Sequence, residues 1–156
     1  MNLSPAGLAF LEHEEGLRTS SYPDSGGRLT IGVGHLLTET ELESGSITIG
    51  ETAIPWRPGL TLQQVTDLLG QDCAARETAL SSLVICPLTQ NQFDALFSLA
   101  YNIGLPAFGR SSLLKILNGG DWTELDDAWQ AWRFAGGKPV LLDRRNRELA
   151  LFKETA

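Results

Sequence analysis

Apolar residues recur along most of this chain at spacings of three and four, the period of a helix buried on one face. Leu8, Phe10 and Leu11 follow Ser4-Pro5, an N-cap residue with proline at the first helical position. The helix they predict ends at Glu15, because Gly16 suits the left-handed position just past a helix. Leu62, Val65, Leu69, Cys73, Leu80 and Leu83 predict the longest helix, with Arg76 interrupting its stripe and Pro87 closing it. Phe93, Leu96, Phe97, Ala100 and Tyr101 mark the next, ending at Gly104-Leu105-Pro106. Ser111 or Ser112 opens a short helix that Gly119-Gly120 breaks. Asp121 and Glu124 predict the start of another, striped by Trp122, Leu125, Trp129 and Trp132. Asp143 predicts the cap of a final helix, with Arg144, Arg145 and Arg147 on its first turns and Leu149 and Phe152 on its packed side.

From Ser20 to Gly34 the period changes to that of a strand. Tyr22-Pro23-Asp24 leads into the turn signal Ser25-Gly26-Gly27, and Arg28–Val33 follows as a strand. Ser46–Ile49 and Thr52–Pro55, flanking Gly50-Glu51, predict a small hairpin. Three Thr-x-x-Glu/Gln pairs, Thr38/Glu41, Thr61/Gln64 and Thr89/Gln92, read as capping boxes. A β-rich segment near the N-terminus thus precedes a helical body, with neither internal repeats nor low-complexity tracts.

Composition narrows the function classes. The 156 residues suffice for one domain, and 42% hydrophobic content supports a core without staples. A net charge of −7 argues against general nucleic-acid binding and against attraction to anionic membranes. No apolar run has the length of a membrane span, and Met1–Pro5 lacks the basic start of a signal peptide, so neither is expected. Cys73 and Cys86, thirteen residues apart, would stand roughly 20 Å apart on one helix, so free thiols are expected. No metal-ligand spacing exists, and neither metal nor cofactor is expected.

Candidate chemistry gathers between Glu15 and His35. Glu15 stands at a helix C-terminus, where the helix dipole disfavours a negative charge. Structure alone does not select an acid there. Asp24, separated from it by eight residues, can approach it through the turn. Two acids can serve as proton donor and water-handling carboxylate in glycosidic hydrolysis, and the Thr30 hydroxyl can help hold the water. On types and spacing alone, solvated surface acids and a strand-forming threonine explain these positions better than catalysis does. His35 reads as a structural hydrogen-bonding group with Asp72 as partner, and His13 as exposed. The Arg144, Arg145 and Arg147 group fits three roles: nucleic-acid contact, cleft lining or a solvated helix face. The tryptophans read as core, and Tyr101-Asn102 as a wall of a binding cleft.

These motifs together resemble the phage-type lysozymes, glycoside hydrolase family 24. The hallmark Glu, eight residues, acid, five residues, Thr is met by Glu15, Asp24 and Thr30. Glu15–Arg18, Thr30–His35, Asn91–Leu96, Tyr101–Gly104, Ser112–Leu114, Asn118–Trp122 and Arg144-Arg145 with Glu148 and Leu151-Phe152 also match, in order along nearly the whole chain. The resemblance implies an α+β, mainly helical fold in a single domain, residues 1–156. A small β-containing lobe, about 12–60, would connect through a long helix to a larger helical lobe, about 61–156 plus the N-terminal helix.

It implies hydrolysis of the β-1,4 bond between N-acetylmuramic acid and N-acetylglucosamine in peptidoglycan, leading to host cell lysis. Glu15 would be the general acid, with Asp24 and Thr30 handling water in an inverting reaction. Leu36, Tyr101, Asn102 and Ser112 would contact the glycan. His35 would pair with Asp72, and Arg144 would lie close to Glu15. A monomer is expected, made in the host cytoplasm and reaching the periplasmic wall through a holin or another export route. The alternatives on the same fold are a peptidoglycan-binding module without turnover and lytic transglycosylase-like cleavage. Leu141-Leu142 stands where many relatives have Gly-Leu, and the 37–60 hairpin segment is an addition to the shortest members.

Overall fold

The computed structural model describes residues 1–24 and 26–154. They fall into two compact units, Leu8–Ala74 on one side and Met1–Gly7 with Ala75–Ala156 on the other.

In the unit Leu8–Ala74, helix α1 (Pro5–Glu15) leads into strands β1 (Arg18–Pro23), β2 (Leu29–Gly32) and β3 (His35–Leu36). They form one antiparallel sheet in the order β1-β2-β3. Tyr22 pairs with Thr30, and Thr30 pairs in turn with Leu36, so Thr30 lies mid-sheet. The strand period read from Ser20 onward covers the second half of β1 and all of β2 but does not set β3 apart. Arg18–Pro23 lacks a run of alternating apolar residues, and β3 is only two residues long. Helix α2 (Glu39–Ser44) carries the capping box expected of Thr38 and Glu41 and ends at Gly45. Strands β4 (Ser46–Ile49) and β5 (Thr52–Pro55) make the expected hairpin. Leu11, Ile31, Val33, Leu37, Ile47, Trp56, Leu60, Val65, Leu68, Leu69 and Cys73 form the buried apolar core of this unit. Helix α3 (Leu62–Leu83) buries the predicted stripe from Val65 to Leu80, while Leu62 is exposed. Thr61 caps it, accepting from the Gln64 N–H, while Gln64 accepts from the Thr61 N–H.

In the other unit, Ser4 caps α1 by accepting the Gly7 N–H at 2.9 Å. Buried Asp94 fixes that cap by accepting the Ser4 N–H at 3.1 Å. Helix α4 (Gln90–Ile103) is buried from Phe93 to Ala100 and is closed at its start by the Thr89/Gln92 box. Gly104-Leu105-Pro106 does end α4, but the chain re-enters a helix at once. Helix α5 (Leu105–Gly109) takes Pro106 in its first turn, where a missing N–H costs nothing. Ser111, not Ser112, caps helix α6 (Ser112–Gly119).

Two expected caps are absent. Asp121 instead closes a local turn, accepting the Thr123 N–H and hydroxyl, and helix α7 (Leu125–Gln130) starts later without a side-chain cap. A short 3-10 turn, Ala131–Arg133, follows it. Asp143 lies inside helix α8 (Leu142–Lys153), whose N-cap is Leu141. An acid in the first turn still meets the positive end of the helix dipole. Trp129 is fully buried against Phe152 at 5.3 Å, and Trp122 meets the same ring at a tilt of 59° and 5.5 Å. Cys73 is buried and Cys86 half-buried, and the two are not joined by a disulfide.

Candidate active site

Glu15 is the last residue of α1 and is exposed. Gly16 follows with φ of 79°, which any side chain would resist, and this turn sends the chain into β1. Asp24 immediately follows β1, in the β1–β2 turn. Its Oδ1 accepts the N–H groups of Gly26 and Arg28, both at 2.8 Å. An aspartate accepting from the residue two positions on is the side-chain mimic of a backbone turn. Its Oδ2 accepts Arg28 Nε at 3.1 Å and lies 3.0 Å from Nη2. The Arg28 N–H above all, then its guanidinium and the Gly26 N–H, hold the carboxyl below its ordinary value against an opposing desolvation. Asp24 is therefore an ionised but weakly basic carboxylate. Ser25 lies outside the described residues.

Thr30 is 4% exposed, and its hydroxyl donates to the Arg28 carbonyl at 3.2 Å. With its hydrogen so occupied, Oγ1 offers lone pairs to a water. Leu36, its neighbour on β3, is 40% exposed. One compact unit thus carries Glu15, Asp24, Thr30 and Leu36. Two are set by a helix end and a turn, two by adjacent strands.

His35 and Asp72 also belong to this unit. His35 Nδ1 donates to Asp72 Oδ2 at 2.9 Å, and Nε2 lies 3.3 Å from both oxygens of Glu41. The Asp72 hydrogen bond raises the imidazole above its ordinary value; partial burial opposes this, and the charges of Asp72 and Glu41 add to it. Partial burial pushes Glu41 up, but the Thr38 N–H and hydroxyl and the imidazole leave it below its ordinary value. His35 is a brace between α2 and α3.

Tyr101, Asn102, Ser112 and Arg144 belong to the unit Met1–Gly7 with Ala75–Ala156. Tyr101 is half-buried, with the Arg76 guanidinium 4.8 Å over its ring. Asn102 Oδ1 accepts Arg145 Nη2 at 2.9 Å, and Ser112 is exposed at the start of α6. Arg144 and Arg145 are buried, 7% and 0% exposed, which excludes the solvated helix face for both. They converge on Glu148, itself 0% exposed. Glu148 Oε1 accepts Ser98 Oγ at 2.8 Å, Arg144 Nε at 3.0 Å and Arg145 Nη2 at 3.1 Å. Its Oε2 faces Arg145 Nε at 2.9 Å and Trp129 Nε1 at 3.3 Å. Burial pushes the Glu148 carboxyl up from its ordinary value, and Arg145, Ser98 and Arg144 pull it back. Arg147 alone of the three arginines is exposed.

Sequence reasoning missed Arg28 as the partner of Asp24, Glu41 as the second partner of His35, and Glu148 as the hub of the arginines. The spacing of four in Asp24/Arg28 and Arg144/Glu148 was the available signal.

The Phage lysozyme family model matches residues 12–148. The endolysin of Salmonella phage P22 is 42% identical over 153 residues, 97% of this chain and 98% of its own. A crystal structure of a P22 lysozyme variant superposes with TM-score 0.82 at 40% identity, covering 99% of each chain. The muramidase domain of SpmX from Asticaccaulis excentricus does so with TM-score 0.77 at 34% identity, again covering 99% of each. The family match spans both acids, the threonine and the buried arginine pair, and the chain belongs to the phage lysozyme family.

Proposed function

We propose that this protein is an endolysin that hydrolyses peptidoglycan, and that its activity is that of a muramidase, cleaving the β-1,4 bond between N-acetylmuramic acid and N-acetylglucosamine. The observation that carries this is the placement of Glu15, Asp24 and Thr30. An exposed carboxyl ends a helix, a tethered carboxylate fills the next turn, and a hydroxyl with free lone pairs sits on the strand that follows.

Glu15 donates its proton to the glycosidic oxygen as the bond to C1 breaks. Water attacks C1 from the opposite face. Asp24 is too weakly basic to act as a strong base; it orients that water, stabilises the cationic transition state and takes up the proton late. Thr30 Oγ1 accepts the water's other hydrogen. No covalent intermediate forms, so the product anomer is inverted. Leu36 offers an apolar edge to a sugar ring beside Thr30. The protein works as a monomer. It is made in the host cytoplasm, and a holin or another export component lets it reach the wall. No helix among the described residues is long and apolar enough to cross a membrane.

Mass spectrometry of muropeptides released from purified walls tests the reading. Reducing ends bearing one added water are expected, with the α or β anomer fixed by proton NMR at early times. Anhydro ends would overturn it in favour of transglycosylase-like cleavage, and glycan binding without release would leave only a binding module.

A further inference from the structure

An ionised carboxylate has about four acceptor positions, two on each oxygen. On Asp24 three of them take hydrogen bonds, and the Arg28 guanidinium crowds the fourth. Oδ1 takes the Gly26 and Arg28 N–H groups, and Oδ2 faces Arg28 Nε at 3.1 Å and Nη2 at 3.0 Å. The guanidinium thus lies over Oδ2, the oxygen left for the water that Asp24 is to orient. We propose that Arg28 is a latch on Asp24: its guanidinium occupies Oδ2 at rest and must leave before water can bind there. This rests on the reading of Asp24 as the water-handling carboxylate.

The two oxygens are held by different parts of Arg28, and that decides the sign of the effect. The backbone N–H groups on Oδ1 fix the carboxylate's orientation without help from the side chain. They survive any substitution of Arg28 that keeps the turn. The guanidinium adds no orientation that these donors lack; it takes up the second oxygen. It can also leave readily. The Arg28 side chain is 68% exposed and that of Asp24 22% exposed. An ion pair so open to water favours its closed form by at most about fivefold. Once released, the guanidinium is solvated, and Oδ2 is open to water. A residue that positioned Asp24 would slow the reaction when removed. A latch speeds it.

The test compares wild type with Arg28→Met and Arg28→Lys on purified linear peptidoglycan strands, measuring kcat and KM separately at low and high salt. Arg28→Met should raise kcat about two- to fivefold with KM unchanged, the range that opening an exposed pair allows. Salt should speed wild type by loosening the pair and leave Arg28→Met flat. Arg28→Lys keeps the charge without the two-pronged fork and should fall between them. The acid limb of the kcat profile should move to higher pH in Arg28→Met, since a cation beside Asp24 is gone. Equal melting temperatures establish that each variant is folded. An unchanged or lowered kcat in folded Arg28→Met overturns the latch. Asp24→Asn separates the two failures. If it stays active, the reading of Asp24 falls and takes the latch with it. If it is inactive while Arg28→Met is no faster, the latch alone falls.

Discussion

Two ion pairs in this molecule share one spacing and differ in almost everything else. Asp24 and Arg28 are four residues apart in a turn, and their side chains are 22% and 68% exposed. Arg144 and Glu148 are four residues apart on α8, and their side chains are 8% and 0% exposed. Water screens the first pair, so it contributes little to stability and can open during a reaction. The second is cut off from water. Its charges stay in place only because each guanidinium finds the carboxylate, Ser98 or Asn102. Spacing in sequence says nothing of this. The surroundings decide whether an acid and an arginine make a working part or a fixed one.

The largest effect expected belongs to the exposed region. Glu15→Gln should lower the rate of muropeptide release by about 10²–10⁴-fold, the share that general acid catalysis supplies, with the melting temperature unmoved. Near wild-type release by a folded Glu15→Gln protein would remove Glu15 as the acid. The buried region should answer the other way. Glu148→Ala leaves two guanidiniums without their common acceptor and should cost about 3–5 kcal/mol in urea denaturation. A cost below about 1 kcal/mol would mean that water reaches the cluster, and the contrast between the two pairs would collapse.

Those surroundings also explain how far the sequence could be read. Helices showed through because a one-sided apolar stripe and a capping box are local signals: Thr38/Glu41, Thr61/Gln64 and Thr89/Gln92 all cap as expected. Asp121 and Asp143 mislead because the same residue types also close turns or sit in a first turn. Strand β3 and the start of β1 escape because the partner strand, rather than their own pattern, makes them strands. The candidate site was legible as spacing and family resemblance, not as geometry. That Arg28 clasps Asp24 depends on a turn no periodicity reveals. That Arg144 and Arg145 are interior depends on Ser98 and Trp129, which lie far away in sequence.

A smaller effect lies between the extremes, at a pair neither free nor sealed. His35 is 14% exposed at its side chain, Asp72 24% and Glu41 17%. The structure raises the His35 value above 6.5, chiefly through the Asp72 hydrogen bond. A group whose folded value is raised stabilises the fold in its protonated form. That contribution is fully present below the unfolded value near 6.5 and is lost as pH rises through the folded value. Glu41, held below its ordinary value, keeps its share down to mildly acidic pH. Asp72→Asn should therefore be destabilised by about 1–2 kcal/mol near pH 5.5, the worth of a charged hydrogen bond discounted for partial exposure. Near pH 9 it should be close to wild type, because the imidazole is then neutral in both. Glu41→Gln should show the same trend with smaller amplitude, since its contacts to Nε2 are 3.3 Å against 2.9 Å for Asp72. Urea denaturation at the two pH values checks both. A cost for Asp72→Asn that does not change with pH would make Asp72 a neutral hydrogen-bond acceptor, and His35 would then join the fixed parts of the molecule with Glu148.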